Sequence, residues 1–352
     1  MESITLNGIR YSSQNLENLV CTGESPDSWQ NAIHAFLVNW YDDTDFILAQ
    51  TSGSTGTPKN IHLSKQSMVH SARMTNQYFG LTADSVGLLC LPATYIAGKM
   101  MLVRAMVGGF NLITVAPSAN PFETLDTPVD FAAITPYQLF HAADVLQHKP
   151  VGKIIVGGGP VTGKLEELAV NIPAELYETY GMTETCSHIA LRRFNGMDRS
   201  EYFTVLDGVT IRLDERDCLA IRAPHLLPDE IQTNDIVELK GVASFRWLGR
   251  ADSTINSGGI KIHPEQLEKK LEGIIPSSYF ISSLPDDVLE NKVVLIIESE
   301  VYTPQQETSL KAQMEYVLTK YEMPKQVFYI PSFVLSDSNK VLRRETLLKA
   351  VK

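Results

Sequence analysis

The sequence predicts an α/β protein: a large N-terminal domain with a mostly parallel sheet and a small antiparallel β subdomain, then a small C-terminal α+β domain. Three observations predict it. First, short apolar runs recur at DFILAQ (45–50), VGLLCL (86–91), FNLITV (110–115), FAAIT (131–135) and KIIVGG (153–158), with helical stretches between them. Such alternation builds a parallel sheet whose ligands sit at the carboxyl ends of its strands. Second, from about 200 to 248 the character shifts to TVLDGVTIRL, CLAIRAP, DIVELKG and ASFRWLG, short β-like runs between turn residues, as antiparallel strands require. Third, residues after 253 open with a Gly-Gly turn. They then read as a helix at 264–272, a strand at 292–299, a helix near 304–320 and a last helix after Val341. The expected domains are 1–250 and 253–352.

Residues 1–44 give a strand-like start and a helix from Trp29 to Trp40, capped by Asp27 or Ser28. They carry no chemistry. The run at 45–50 delivers TSGSTGTPK, Thr51 to Lys59, and Ser64 then caps a helix to about Gly80. In that loop Gly53 and Gly56 let several backbone N–H groups face one point. Ser52, Ser54, Thr55 and Thr57 add hydroxyls and Lys59 a charge, which is chemistry for a phosphate. It is not a Walker loop, because Asn60 follows the lysine where Ser or Thr would be needed. GGGPV at 157–161 ends a strand and opens a helix, with Pro160 expected in its first turn.

At 352 residues the chain has room for about two domains, and 44% hydrophobic with 20% charged residues is ordinary globular composition. A net charge of −11 argues against general nucleic-acid or anionic-membrane binding while allowing a local basic pocket. With no run of eighteen apolar residues and a polar start, MESITLNGIRYSSQ, the expectation is a cytoplasmic protein without membrane insertion. Cys21, Cys90, Cys186 and Cys218 form no CxxC pair and read as reduced thiols. Cys186 is expected to be a small pocket-wall residue rather than a nucleophile.

In order, TSGSTGTPK, GGGP, YGMTET at 180–185, Asp235, LGRAD, GGIK and NKVLRRETL at 339–347 resemble the blocks of the acyl-adenylate-forming superfamily, over about residues 46–350. The departures are Asn60 and Asn234 where glycine is commoner, Asn339 before the lysine, and a front about one subdomain shorter than in most members. The resemblance implies ATP, Mg²⁺ and CoA as ligands and a carboxylic acid as substrate. It implies that Thr51–Lys59 hold phosphates, that Gly157, Gly158, Gly159 and Pro160 line the adenine with Tyr180, Gly181 and Met182, and that Asp235 and Arg250 hold the ribose. Thr183 would contact the α-phosphate and Glu184 hold the magnesium ion. Lys340 would be the mobile catalytic lysine, Asp252 the hinge of a rotating C-terminal domain, and Gly258 and Gly259 part of the CoA tunnel. Those roles suit the chemistry: hard Mg²⁺ favours carboxylate and phosphate oxygens, and a flexible ammonium stabilises charge between attacking and leaving oxygens.

LPATYIAGKMMLVRAMVGG at 91–109 looks like the acyl pocket of compact superfamily members, with Tyr95, Gly98, Lys99 and Arg104 as candidates. Lys99 and Arg104 interrupt an apolar segment. An acid with a second carboxylate, o-succinylbenzoate, would give one of them a partner, whereas a fatty-acid pocket would be apolar throughout. Either cation could instead snorkel to solvent. Alternatives left open are another aryl- or acyl-CoA synthetase, an enzyme that loads a carrier protein, and a non-catalytic nucleotide-binding homologue. A homo-oligomer is equally open.

Overall fold

The computed structural model describes residues 3–19, 28–50, 60–335 and 341–352. The candidate phosphate loop 51–59, Lys340 and Cys21 lie outside them. The chain divides into two compact units, 1–211 with 221–231 and 240–245, and 246–352 with 212–220 and 232–239.

The first unit begins with a hairpin, β1 (Ser3–Leu6) and β2 (Ile9–Ser12), and helix α1 (Trp29–Tyr41). Ser28 caps α1 by accepting from the Asn31 N–H. A second hairpin, β3 (Phe46–Gln50) and β4 (Asn60–Ser64), leads into α2 (Lys65–Phe79). Ser64 caps α2 and Gly80 ends it in the left-handed conformation. Then come β5 (Val86–Leu89), α3 (Ile96–Gly108), β6 (Asn111–Thr114), β7 (Val129–Ile134), α4 (Pro136–Leu146), β8 (Val151–Val156), α5 (Gly163–Ala169), β9 (Glu175–Gly181), β10 (His188–Arg193) and β11 (Phe203–Val205).

In this unit the strands lie in the order β11-β10-β9-β8-β7-β5-β6-β1-β2. From β9 through β8, β7, β5 and β6 to β1 each pairs in parallel with the next, while β10, β11 and β2 add antiparallel margins. The expected parallel sheet is present. One expected member is not: β3 pairs only with β4, antiparallel, in a separate two-stranded ladder with Gln50 opposite Asn60. Its exposed Phe46 and Leu48 suit an outlying ribbon.

Period-two alternation splits the core between the two faces of the sheet. Phe131, Ala133, Ile155 and Tyr177 face the cluster that includes α1, α2 and α3. Ala132, Ile134, Ile154, Val156 and Leu176 face the cluster under α4 and α5. Strands covered on both faces read as near-continuous apolar runs, which is why residues 131–134 of β7 and 154–156 of β8 were visible in the sequence.

Strands β12 (Thr210–Leu213), β13 (Cys218–Arg222), β14 (Ile231–Lys240) and β15 (Ser244–Arg250) carry the chain between the units. In the second unit, β16 (Ile255–Ser257) and β17 (Ile260–Ile262) form a hairpin. It is followed by α6 (Pro264–Leu271), β18 (Tyr279–Asp286), β19 (Glu290–Glu298), α7 (Pro304–Val317), β20 (Gln326–Ile330) and α8 (Arg343–Ala350). The hairpin turn needs both its glycines, since Gly258 and Gly259 have φ of +58° and +79°. β18 and β20 flank β19, and α6 and α7 cover an apolar cluster on one side. No helix of the described residues is long and apolar enough to cross a membrane.

Candidate functional site

The turn after β8 and the end of β9 leave neighbouring parallel strands at the same end, with Val156 opposite Glu178. Gly157, Gly158, Gly159 and Pro160 follow β8, and Tyr180 and Gly181 close β9. Two candidate segments distant in sequence are therefore adjacent. Gly157 must lack a side chain because a Cβ there would clash with the Thr179 hydroxyl, which itself donates to the Val156 carbonyl at 3.3 Å. Pro160 is not in the first turn of a helix, as the sequence suggested. Helix α5 begins at Gly163 behind Thr162, and the Val161 N–H goes instead to Glu178 Oε1 at 2.9 Å, which keeps the segment beside β9.

Glu178 is buried and accepts from Arg192 Nε and Nη2 at 2.8 and 2.7 Å, while Arg192 Nη1 donates to Glu166 at 2.9 Å. Burial opposes the Arg192 charge, yet the carboxylates of Glu178 and Glu166 outweigh it and raise the pKa. This network anchors the Gly157–Pro160 turn through one backbone N–H. Tyr180 sits edge-on to Phe245 at 4.9 Å and tilted against Phe203 at 5.9 Å. Those rings fix the plane it presents.

Met182 to Ser187 form a tight turn between β9 and β10. The wholly buried Thr185 hydroxyl holds it, donating toward the Met182 and Ser187 carbonyls at 2.9 and 2.7 Å and accepting from the Met182 N–H at 3.1 Å. Cys186 takes a left-handed φ of +63°, an uncommon conformation for a residue with a side chain. Thr183 is half-buried on this turn. Glu184 is exposed, without a hydrogen-bond or ion-pair partner among the described residues. Burial pushes the Cys90 and Cys186 thiols up to about 12, so neither is a thiolate near neutrality. That fits the expectation that Cys186 is not a nucleophile.

Helix α3 carries the four acyl-pocket candidates. Tyr95 is its N-cap, 60% exposed and making no side-chain capping bond. Gly98 lets the first turn settle onto the Pro92 carbonyl, with which a Cβ would clash. Lys99 reaches back to donate to the Leu48 carbonyl of β3 at 2.9 Å, and burial lowers its pKa.

Arg104 is only 2% exposed, so it does not snorkel. Its Nη2 donates to Ser187 Oγ at 2.6 Å and its Nη1 to the Met101 sulfur at 3.5 Å, while Nε has no partner among the described residues. No carboxylate pairs with it there, and burial lowers its pKa to about 9. Behind Ser187 lies His188, equally buried, with Nδ1 3.2 Å from Ser187 Oγ and Nε2 3.2 Å from Thr75 Oγ1. Sequence reasoning missed Glu178, Thr179, Thr185, Ser187 and His188. A signal existed for the last two, a polar pair directly after TETC and before the apolar IAL.

In the second unit Asp235, Arg250 and Asp252 come together. Arg250 grips Asp252 with Nε and Nη2 at 2.9 and 2.8 Å, and its Nη1 lies 3.7 Å from Asp235 Oδ1. The Arg250 hydrogen bonds hold the Asp252 pKa below the usual carboxylate range. Trp247 Nε1 donates to Asp235 Oδ1 at 3.2 Å. Gly258 and Gly259 are exposed at the hairpin tip.

Residues 19–216 match the family model of the AMP-binding enzymes, which spans more than half of the chain. The chain belongs to that family. It is 26% identical over 330 residues to a 2-succinylbenzoate–CoA ligase of Staphylococcus epidermidis, covering 84% of this chain and 68% of that relative. A Bacillus cereus protein of the same name is 25% identical with the same coverage. Among solved structures, an acyl-CoA synthetase (AMP-forming)/AMP-acid ligase II-like protein from Dyadobacter fermentans is 33% identical at a TM-score of 0.62, covering 97% of this chain and 99% of the other. The O-succinylbenzoate CoA synthetase of Bacillus subtilis, in complex with ATP and magnesium ion, reaches a TM-score of 0.71 at 21% identity over 85% of this chain and 69% of the other. At that identity the likeness is one of fold.

Proposed function

We propose that the protein is an ATP-dependent acid–CoA ligase and that its acid is o-succinylbenzoate. The acid's carboxylate attacks the α-phosphorus of ATP, giving acyl-AMP and releasing pyrophosphate. The CoA thiol, losing its proton, then attacks the acyl carbon and AMP leaves. No protein nucleophile is required, and the residues bind, orient and balance charge.

In this reading Thr51–Lys59 hold the β- and γ-phosphates, and Gly157–Pro160, Tyr180, Gly181 and Met182 enclose the adenine. Asp235 accepts from the ribose hydroxyls with Arg250 beside it, and Thr183 donates to the α-phosphate. Glu184 fits a magnesium ion, because an exposed hard carboxylate without a cation partner matches an ion that takes its remaining oxygens from phosphates and water. Bound there, the ion would neutralise phosphate charge. Lys340 supplies a mobile ammonium for the first step. Rotation of residues 253–352 about Asp252 then brings Gly258 and Gly259 to the thiol for the second.

The observation that carries the choice of acid is Arg104, a wholly buried guanidinium with an unused Nε and no carboxylate partner among the described residues. An unpaired buried cation costs several kcal/mol, and the second carboxylate of a dicarboxylic acid would offset that cost. Lys99, already bonded to the Leu48 carbonyl, is the weaker candidate. The 2-succinylbenzoate–CoA ligase relatives support the same acid. The test is acid-dependent formation of AMP and pyrophosphate across a panel of carboxylic acids, with and without CoA. Turnover with o-succinylbenzoate that needs CoA for thioester release is expected. Robust activity on fatty or simple aryl acids with none on o-succinylbenzoate would overturn the choice of acid.

A further inference from the structure

We propose that Ser187, His188 and Thr75 are positioning residues, a one-way hydrogen-bond relay that fixes the Arg104 guanidinium for the second carboxylate of the acid. The inference rests on the reading that Arg104 meets the substrate. The relay runs Arg104 Nη2 to Ser187 Oγ (2.6 Å), Ser187 Oγ to His188 Nδ1 (3.2 Å), His188 Nε2 to Thr75 Oγ1 (3.2 Å) and Thr75 Oγ1 to the Ser71 carbonyl (3.2 Å). Its two ends determine its direction. A guanidinium can only donate and a backbone carbonyl can only accept.

Ser187 Oγ therefore spends an acceptor on Arg104 and gives its one proton to His188 Nδ1. An imidazole that accepts at Nδ1 and stays neutral carries its proton on Nε2, which donates to Thr75, whose proton goes to Ser71. Every link then has one donor and one acceptor. Protonating His188 would turn Nδ1 into a donor facing the Ser187 proton and bury a second cation beside Arg104. Burial first, and the Arg104 charge second, hold its pKa well below the ordinary imidazole value.

A merely structural role does not explain the arrangement. The relay is neutral, so it orients the guanidinium without compensating its charge, and it leaves Nε unused. Apolar side chains would fill the same space without that cost. With Nη2 held by Ser187 and Nη1 against the Met101 sulfur, the guanidinium plane is set before any acid binds. A bidentate anion contact depends on that plane.

The experiment compares Ser187→Ala, Ser187→Thr, Thr75→Val and Arg104→Ala in the full chain, with thermal unfolding as a folding check. It measures KM and kcat for o-succinylbenzoate and for benzoate. In parallel, nitrogen NMR of labelled histidine reads the His188 tautomer. The expected results are an Nε2–H tautomer in the wild type that Ser187→Ala perturbs. Ser187→Ala and Thr75→Val should raise KM for o-succinylbenzoate relative to benzoate by about tenfold more than they lower kcat, with Ser187→Thr restoring it. An Nδ1–H tautomer would overturn the relay whatever the acid proves to be. If Arg104→Ala raises that KM ratio and Ser187→Ala does not, the positioning role falls while the substrate reading stands. If Arg104→Ala itself leaves the ratio unchanged, the substrate reading falls and takes the role with it.

Discussion

Arg104 and Ser187, 83 residues apart in the chain, meet in a 2.6 Å hydrogen bond that ties helix α3 to the turn carrying Thr183 and Glu184. The candidate acyl-pocket helix and the candidate phosphate turn are thus one braced structure. A change on either side is expected to reach the other.

Replacing that cation separates stability from specificity. Arg104→Met keeps most of the volume and removes a buried charge that no described carboxylate balances. Its unfolding free energy is expected to equal or exceed that of the wild type, by up to about 2 kcal/mol, as when buried charges give way to apolar side chains. KM for o-succinylbenzoate is expected to rise by about 100-fold, the scale of one lost charge-assisted contact. Denaturant unfolding and steady-state kinetics check both halves. A large loss of stability with unchanged KM would make Arg104 a structural residue.

Glu178 gives a contrasting case, because its removal strands a partner. Arg192 is bonded to Glu178 through two nitrogens, and the same carboxylate holds Val161 N–H. Glu178→Ala is expected to cost about 3 kcal/mol in urea unfolding, the range for breaking a buried pair on one side. Freeing Val161 should also loosen the Gly157–Pro160 turn and raise KM for ATP more than KM for the acid. Equal effects on both constants would argue that the turn has no part in nucleotide binding.

The contrast between Arg104 and Glu178 also shows what the sequence could reveal. The β5, β7 and β8 runs were legible because burial on both faces leaves unbroken apolar stretches, such as residues 88–89, 131–134 and 154–156. Helix starts at Ser28 and Ser64 were legible because a cap is a local event. β9, with ELYETYG, was not. Glu178 and Thr179 become acceptable inside a sheet only when Arg192 and the Val156 carbonyl arrive from elsewhere in the chain. β4 and the hairpin placement of β3 were missed for a related reason, since an apolar run does not say which strand will be its neighbour. For the site, YGMTET and GGGP were legible as motifs, whereas Ser187 and His188 acquire meaning only beside Arg104 and Thr75.

His188 makes a pH prediction whose sign follows from its depressed pKa. Below about pH 6.5, the ordinary imidazole value, the unfolded chain takes up a proton that the folded chain refuses. Stability is therefore lost as pH falls from about 6.5 toward the folded pKa. His225 and His263 are also depressed, chiefly by burial, and contribute in the same direction. His188→Gln should lose less stability than the wild type between about pH 6.5 and 5, with the His225 and His263 contributions common to both. Parallel urea titrations at the two pH values measure the difference. An identical pH dependence in the variant would mean that His188 takes up a proton in the native state as readily as in the unfolded chain.

The two half-reactions should separate at Lys340 and Asp252. Lys340→Ala is expected to abolish acyl-AMP formation, read as ATP–pyrophosphate exchange, while thioester formation from preformed acyl-AMP survives, if that ammonium acts only in the first step as proposed. Asp252→Pro should do the reverse if the second step uses the proposed rotation about Asp252, since a fixed φ opposes it. Asp252 also pairs with Arg250 through two hydrogen bonds, so Asp252→Ala is the needed control: it breaks the pair and leaves φ free. If the hinge role is right, Asp252→Ala retains thioester formation and Asp252→Pro loses it. Matching losses in the two variants would move the function of Asp252 from rotation to the ion pair with Arg250. Normal thioester formation by Asp252→Pro would place the hinge at another residue.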